Sequence, residues 1–165
     1  MAVNRGKDFE KLIKESFESI PNVSVDRLHD QMNGYAGSCN ICDFIVYKKP
    51  LIYYIECKTV HGNTLPFSNI TKNQWNGLLN KSRIDGAIAG VMCWWVDKDV
   101  TKFLPIQLLE NLKRHDDKSI PYQADLSSAI TLHGDKKQVF FNYDVERFFK
   151  EVQMTYEMHN LEGRL

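Results

Sequence analysis

Apolar residues recur at helical spacing near the start of the chain, where Phe9, Leu12, Ile13 and Phe17 are interleaved with Lys7, Glu10, Lys11 and Lys14. The pattern predicts an amphipathic helix over residues 7–19, stopped by Pro21. Residues 23–28 alternate as a short strand does, and residues 30–39, with Asn33-Gly34 and Gly37-Ser38, read as a loop. Two strands follow, over 41–47 and 51–58, joined through Lys48-Lys49-Pro50 as a hairpin. Residues 64–69 read as irregular. Thr71 is placed to cap a helix carrying Trp75, Leu78 and Leu79 on one face. Residues 87–96 form a continuous apolar run bounded by the Asp85-Gly86 turn, the pattern of a fully buried central strand. Residues 101–104 pair beside it, and Pro105 leads into a short helix over 107–113. A late edge strand is expected over 138–142 and a closing helix over 145–158. The order predicts an α/β fold, a mixed β-sheet flanked by α-helices.

Composition narrows the class. With 165 residues the chain fits one domain, with no repeat or linker-like segment dividing it. Its 43% hydrophobic and 12% aromatic content is that of a globular protein with a real core. No apolar run reaches membrane-spanning length and the first residues are polar, so the expectation is a cytoplasmic protein with no membrane partner. The 21 basic and 21 acidic residues give no net charge, which removes the usual basic signature of a nucleic-acid binder. It does not remove the class, because the local field at a cleft matters more than the sum. Cys39 and Cys42 form a C-x-x-C pair, but no second pair completes a zinc site. Cys57 and Cys93, inside apolar runs, read as small core residues.

The chemistry is concentrated in the hairpin. Side chains alternate along a strand, so Glu56 and Lys58 share one face while Ile55 and Cys57 share the other. Asp43 begins the neighbouring antiparallel strand, and a tight turn brings it back beside Glu56 and Lys58. Taken singly each feature is common, and Glu56 with Lys58 also fits a surface ion pair worth under about 1 kcal/mol. Together, two carboxylates and an ammonium among apolar strand residues are costly unless something binds there. The carboxylates suit Mg²⁺, which takes one or two such ligands plus water and phosphate oxygens. Lys58 then has three open roles: orienting a water, accepting its proton, or stabilising charge on phosphorus.

The run of Asp43, a hydrophobic strand, a turn and Glu56-Cys57-Lys58 resembles the PD-(D/E)xK nuclease motif of the restriction-endonuclease-like fold. Asn4-Arg5-Gly6 with Phe9-Glu10 resembles the first-helix opening of the RecU-like Holliday junction resolvases of Gram-positive bacteria and their phages. Gln74 matches a glutamine of that family near its catalytic centre, and residues 99–109 have its strand, proline and short-helix pattern. The resemblance covers residues 4–112, and thinly the rest. It implies that Asp43 and Glu56 bind Mg²⁺ or Mn²⁺, that Lys58 is catalytic, and that Glu10 and Gln74 complete the site. It implies a homodimer that resolves four-way DNA junctions in recombination and repair, leaving 5′-phosphates. One departure is plain. The family has a longer segment before its catalytic aspartate, forming a stalk that engages the junction, whereas here only residues 21–42 fill the interval. That fits a shortened, phage-type member and opens the question of junction selectivity.

Phosphate contacts are expected from Arg5, Lys72, Lys81 and Arg83, with Lys48 and Lys49 weaker candidates and Thr59 near the cleft. Tyr35 is placed to stack on an exposed base of branched DNA. Three other readings remain open. They are a nuclease of the same fold without junction selectivity, a non-catalytic DNA-binding relative, and an interaction domain with accidental motif residues.

Overall fold

The computed structural model describes residues 5–28, 40–124 and 126–162. Helix α1 (Arg5–Glu18) is followed by strands β1 (Ser24–Arg27), β2 (Phe44–Lys48), β3 (Leu51–Val60) and β4 (Thr64–Pro66). After a single 3-10 turn come helix α2 (Lys72–Lys81), β5 (Ala87–Trp95), β6 (Val100–Pro105) and helix α3 (Ile106–Arg114). Four short strands, β7 (Ser119–Pro121), β8 (Ile130–Thr131), β9 (Gly134–Lys137) and β10 (Phe140–Tyr143), lead to helix α4 (Val145–Glu162). Among the described residues, no helix is long and apolar enough to cross a membrane.

The main sheet has the order β1-β2-β3-β5-β6-β8. Strands β3 and β5 run parallel, and every other neighbouring pair is antiparallel. Parallel neighbours need a crossover, and α2 supplies it. The period-two alternation of β3 and β5 separates two cores. Tyr53, Ile55, Cys57, Met92 and Trp94 pack with Phe9, Ile13 and Phe17 of α1 and with Phe148, Phe149 and Val152 of α4. Tyr54, Val91, Cys93 and Trp95 pack against Trp75 and Leu78 of α2 and Ile106 and Leu109 of α3. The protein is therefore a mixed α/β sheet with helices on both faces. Both tryptophans of the 87–96 run are buried, one in each core.

Gly90 shows how tightly β5 is held. A Cβ there would lie 2.3 Å from the Leu104 carbonyl oxygen and 2.7 Å from Phe103 Cζ. Backbone cannot give way as a side chain can. Gly90→Ala is therefore expected to lower stability by about 1–3 kcal/mol or more, read as a lower urea midpoint. An unchanged midpoint would mean that β5 and β6 separate without cost.

Some elements differ from the sequence expectation. Residues 64–69 are not irregular: β4 pairs with β7, burying Leu65 and Ile120, and a 3-10 turn follows. That partner lies more than fifty residues away, so local pattern does not reveal it. Residues 138–142 are not an edge strand of the main sheet. Gln138 sits in a turn with φ 43°, and β10 pairs with β9 in a separate two-stranded sheet. The sequence of β9, Gly-Asp-Lys-Lys, carries no apolar alternation to announce a strand. Asp43 stands immediately before β2 rather than within it, although its N–H still donates to the Ile55 carbonyl (3.1 Å). The loop expected over 30–39, with Tyr35 and Cys39, lies outside the described residues, as does Asn4.

Candidate active site

The β2–β3 register pairs Phe44 with Ile55, so the residue before β2 falls opposite Glu56. Asp43 is fastened there from both sides. Its carbonyl accepts the Leu28 N–H (2.8 Å), and its carboxylate Oδ2 accepts the Cys57 N–H (2.7 Å). Glu56 is 3% exposed, so it is not half of a surface ion pair. Its Oε1 accepts from both Lys58 Nζ (2.6 Å) and Gln74 Nε2 (2.6 Å). Its Oε2 is buried with no hydrogen-bond partner among the described residues. Burial first, and then the Asp43 charge, raise the Glu56 carboxyl to about 7 against the opposing pull of Lys58. Lys58 is 20% exposed, at the mouth of the site.

Gln74 comes from the other layer. Thr71 caps α2 by accepting the Gln74 N–H on its hydroxyl, and the Gln74 side-chain oxygen Oε1 accepts the Thr71 N–H (3.0 Å) in a capping box. With its carbonyl tied to the cap, the Gln74 amide must present its NH₂ to Glu56. The T-x-x-Q spacing announces a capping box in the sequence, but not this second use of the glutamine. Thr71→Ala is expected to cost about 1 kcal/mol of stability, with Thr71→Ser restoring it, read by urea unfolding.

Glu10 projects from α1 and pairs with Arg27 of β1, while its charge still reaches Glu56. Arg27 was not among the sequence candidates, because nothing local marks β1 as the strand beside α1. Among the basic candidates, Arg5 opens α1 and Lys72 opens α2, two residues before Gln74. Lys81 and Arg83 sit at and just beyond the other end of α2. Lys81 closes α2, roughly 10 Å along the helix from Gln74, with its ammonium over the Tyr54 ring. Arg83 lines a cavity of about 590 Å³ bordered by α3 and α4. Lys48 and Lys49 lie at the turn end of the hairpin, away from Asp43, and Lys48 donates to the Pro21 carbonyl. Basic charge made these residues candidates, and charge alone says nothing about which end of a helix or hairpin meets the carboxylates. Thr59 follows Lys58 on β3 and is half-buried.

Cys42, Cys57 and Cys93 are buried core thiols. Burial pushes Cys42 up to about 12 and raises Cys57 and Cys93 as well. Among the described residues, no three His, Cys, Asp or Glu side chains form a ready cage for a metal. A hard divalent cation needs less than that, since Mg²⁺ completes its shell with water and substrate oxygens. Buried Glu56, whose Oε2 has no partner among the described residues, with a second carboxylate beside it, is the donor set such an ion takes. The residues fit the ion.

No protein-family model matches the chain, and a search of curated proteins finds no match. Among solved structures, the chain is similar to Hjc of Archaeoglobus fulgidus, described as a Holliday junction resolvase from an archaeal hyperthermophile. The two share 20% identity over 63% of this chain and 75% of that one, with a TM-score of 0.46. That is a partial likeness of chain path, and what the site can do chemically is set by its own side chains.

Proposed function

We propose that this protein is a single-domain, divalent-metal-dependent DNA endonuclease with the restriction-endonuclease-like core, and that its substrate is branched DNA, the four-way junction above all. One observation carries the reading: a buried Glu56, with one oxygen that has no partner among the described residues, stands beside Asp43, with the Lys58 ammonium at the mouth.

Asp43 and Glu56 would hold Mg²⁺, with Mn²⁺ as an alternative. Bound there, the ion supplies Lewis-acid polarisation of a phosphate and a water acidified toward neutrality. The protein's own groups do the rest. Gln74 fixes the Glu56 carboxylate through Oε1, leaving Oε2 directed elsewhere. Lys58, on the same face of β3, offers its ammonium to an anionic oxygen of the scissile phosphate. Glu10, steadied by Arg27, adds negative charge on the α1 side and orients water at the site. Arg5 and Lys72 stand at helix starts, where side-chain charge and the helix dipole both favour phosphate. Hydrolysis adds water across one P–O bond, releasing a 3′-hydroxyl and leaving a 5′-phosphate. A four-way junction has two equivalent strands to cut, so the reading implies a two-fold homodimer.

The test is cleavage of a labelled synthetic four-way junction beside a linear duplex of the same sequence, with and without Mg²⁺. Paired symmetric nicks on the junction alone are the expected result. Equal Mg²⁺-dependent cutting of both substrates would make the protein a general nuclease. No cutting with either Mg²⁺ or Mn²⁺ would remove the catalytic reading.

A further inference from the structure

Gly77 is an unfavourable residue for the interior of α2, since glycine is the weakest helix former after proline. Its neighbour gives the reason. A Cβ at Gly77 would lie 2.3 Å from Ile41 Cγ2 and 2.5 Å from Ile41 Cβ, whereas Ile41 Cα is 3.6 Å away. The side chain of Ile41 thus rests directly on the helix backbone, two residues before Asp43. Asn73, one turn earlier on the same helix face, donates to the Asn40 carbonyl (3.3 Å). Gln74, also on that face, holds Glu56. One face of α2 therefore touches both the segment that carries Asp43 and the carboxylate of Glu56.

We propose that Gly77 is a positioning residue: by seating Ile41 against α2, it sets the placement of Asp43 relative to Glu56 and Gln74. The inference rests on reading Asp43 and Glu56 as metal ligands. A methyl at Gly77 requires a separation about 1 Å larger than the backbone now allows. If the 40–42 segment yields, Asp43 shifts. If α2 yields, Gln74 shifts from Glu56. Either movement changes the spacing of the two carboxylates, and a displacement of that size is enough to cost roughly tenfold to a hundredfold in a positioned site.

The test uses the full chain and two readouts, the Mg²⁺ concentration for half-maximal cleavage and the Mg²⁺-induced rise in melting temperature without DNA. Gly77→Ala is expected to raise the first roughly tenfold or more and to shrink the second. Adding Ile41→Gly, which removes both clashing atoms and leaves only the 3.6 Å contact, should restore part of each. A folded Gly77→Ala protein with wild-type responses overturns the proposal. Should Gly77→Ala not fold, Ile41→Ala vacates most of the seat from the other side. It should weaken the Mg²⁺ response, and a wild-type response overturns the proposal. A wild-type protein with no Mg²⁺ or Mn²⁺ shift would instead overturn the ligand reading itself, and this inference with it.

Discussion

Asp43→Asn is expected to lower DNA cleavage by about a hundredfold to a thousandfold, the range seen when a preorganised electrostatic group is lost from an active site. The substitution is nearly isosteric, and the Asn carbonyl oxygen can still accept the Cys57 N–H that Asp43 Oδ2 accepts now. The backbone contacts to Leu28 and Ile55 do not involve the side chain. What disappears is one of the two carboxylates available to a cation. Loss of that charge also relieves Glu56, whose carboxyl the Asp43 charge raises. The variant should therefore fold at least as well as the parent, bind junction DNA in Ca²⁺, and lose the Mg²⁺-induced rise in melting temperature. Wild-type cleavage by Asp43→Asn would remove the assignment of the site.

The second prediction concerns stability against pH in EDTA. Glu56 is held at about 7 in the folded state against 4.5 for the free group, chiefly by burial and then by Asp43. Between those values the folded protein binds the proton that the unfolded chain has released. Stability linked to this group is therefore full below pH 4.5, falls as pH rises, and is lost above about 7, by on the order of 3 kcal/mol. The direction is opposite to that of an ordinary salt-bridged carboxylate. Asp97 and Glu110, both lowered by hydrogen bonds, pull the other way, so the comparison is made against Glu56→Gln. That variant should flatten the profile between pH 5 and 8 and melt higher at pH 8 by roughly 3–10 °C. It should also lose cleavage. Parallel profiles for the two proteins would show that Glu56 does not titrate in this range. The same argument says why a cation fits: above neutrality the buried charge lacks a sufficient counter-charge, and bound Mg²⁺ stabilises the fold by mass action.

Stability and function are thus opposed at one residue. An uncompensated buried carboxylate is a poor choice for a core and a good one for an ion site. The neighbouring polar groups limit the cost without removing it. Lys58 and Gln74 both serve Oε1, and nothing among the described residues serves Oε2.

Much of this was legible in the sequence, for reasons tied to particular residues. The apolar alternation of 51–60 and the run of 87–95 define two central strands because burial on both faces leaves no other pattern. The tight hairpin turn fixes the register, which puts Asp43 opposite Glu56, and strand alternation puts Glu56 and Lys58 on one face. Thr71 and Gln74 announce the start of α2 because capping is a local interaction. These inferences need only neighbours along the chain, or strands joined by a short turn.

Tertiary structure alone decided what required distant segments to meet. The pairings of Glu10 with Arg27, Leu65 with Ile120 and Ile41 with Gly77 join residues with no shared periodicity or turn. The direction of α2 put Lys72 at the Gln74 end of the helix and Lys81 at the other, with Arg83 beyond it. Burial is likewise a property of the assembled layers. The sequence shows that Glu56 is a carboxylate on an apolar strand, but only the packing of α2 over that strand removes its Oε2 from water. Local chemistry fixed which residues carry the site, and the meeting of remote surfaces fixed how strongly each is perturbed, because desolvation depends on everything that covers a group and not on its neighbours in the chain.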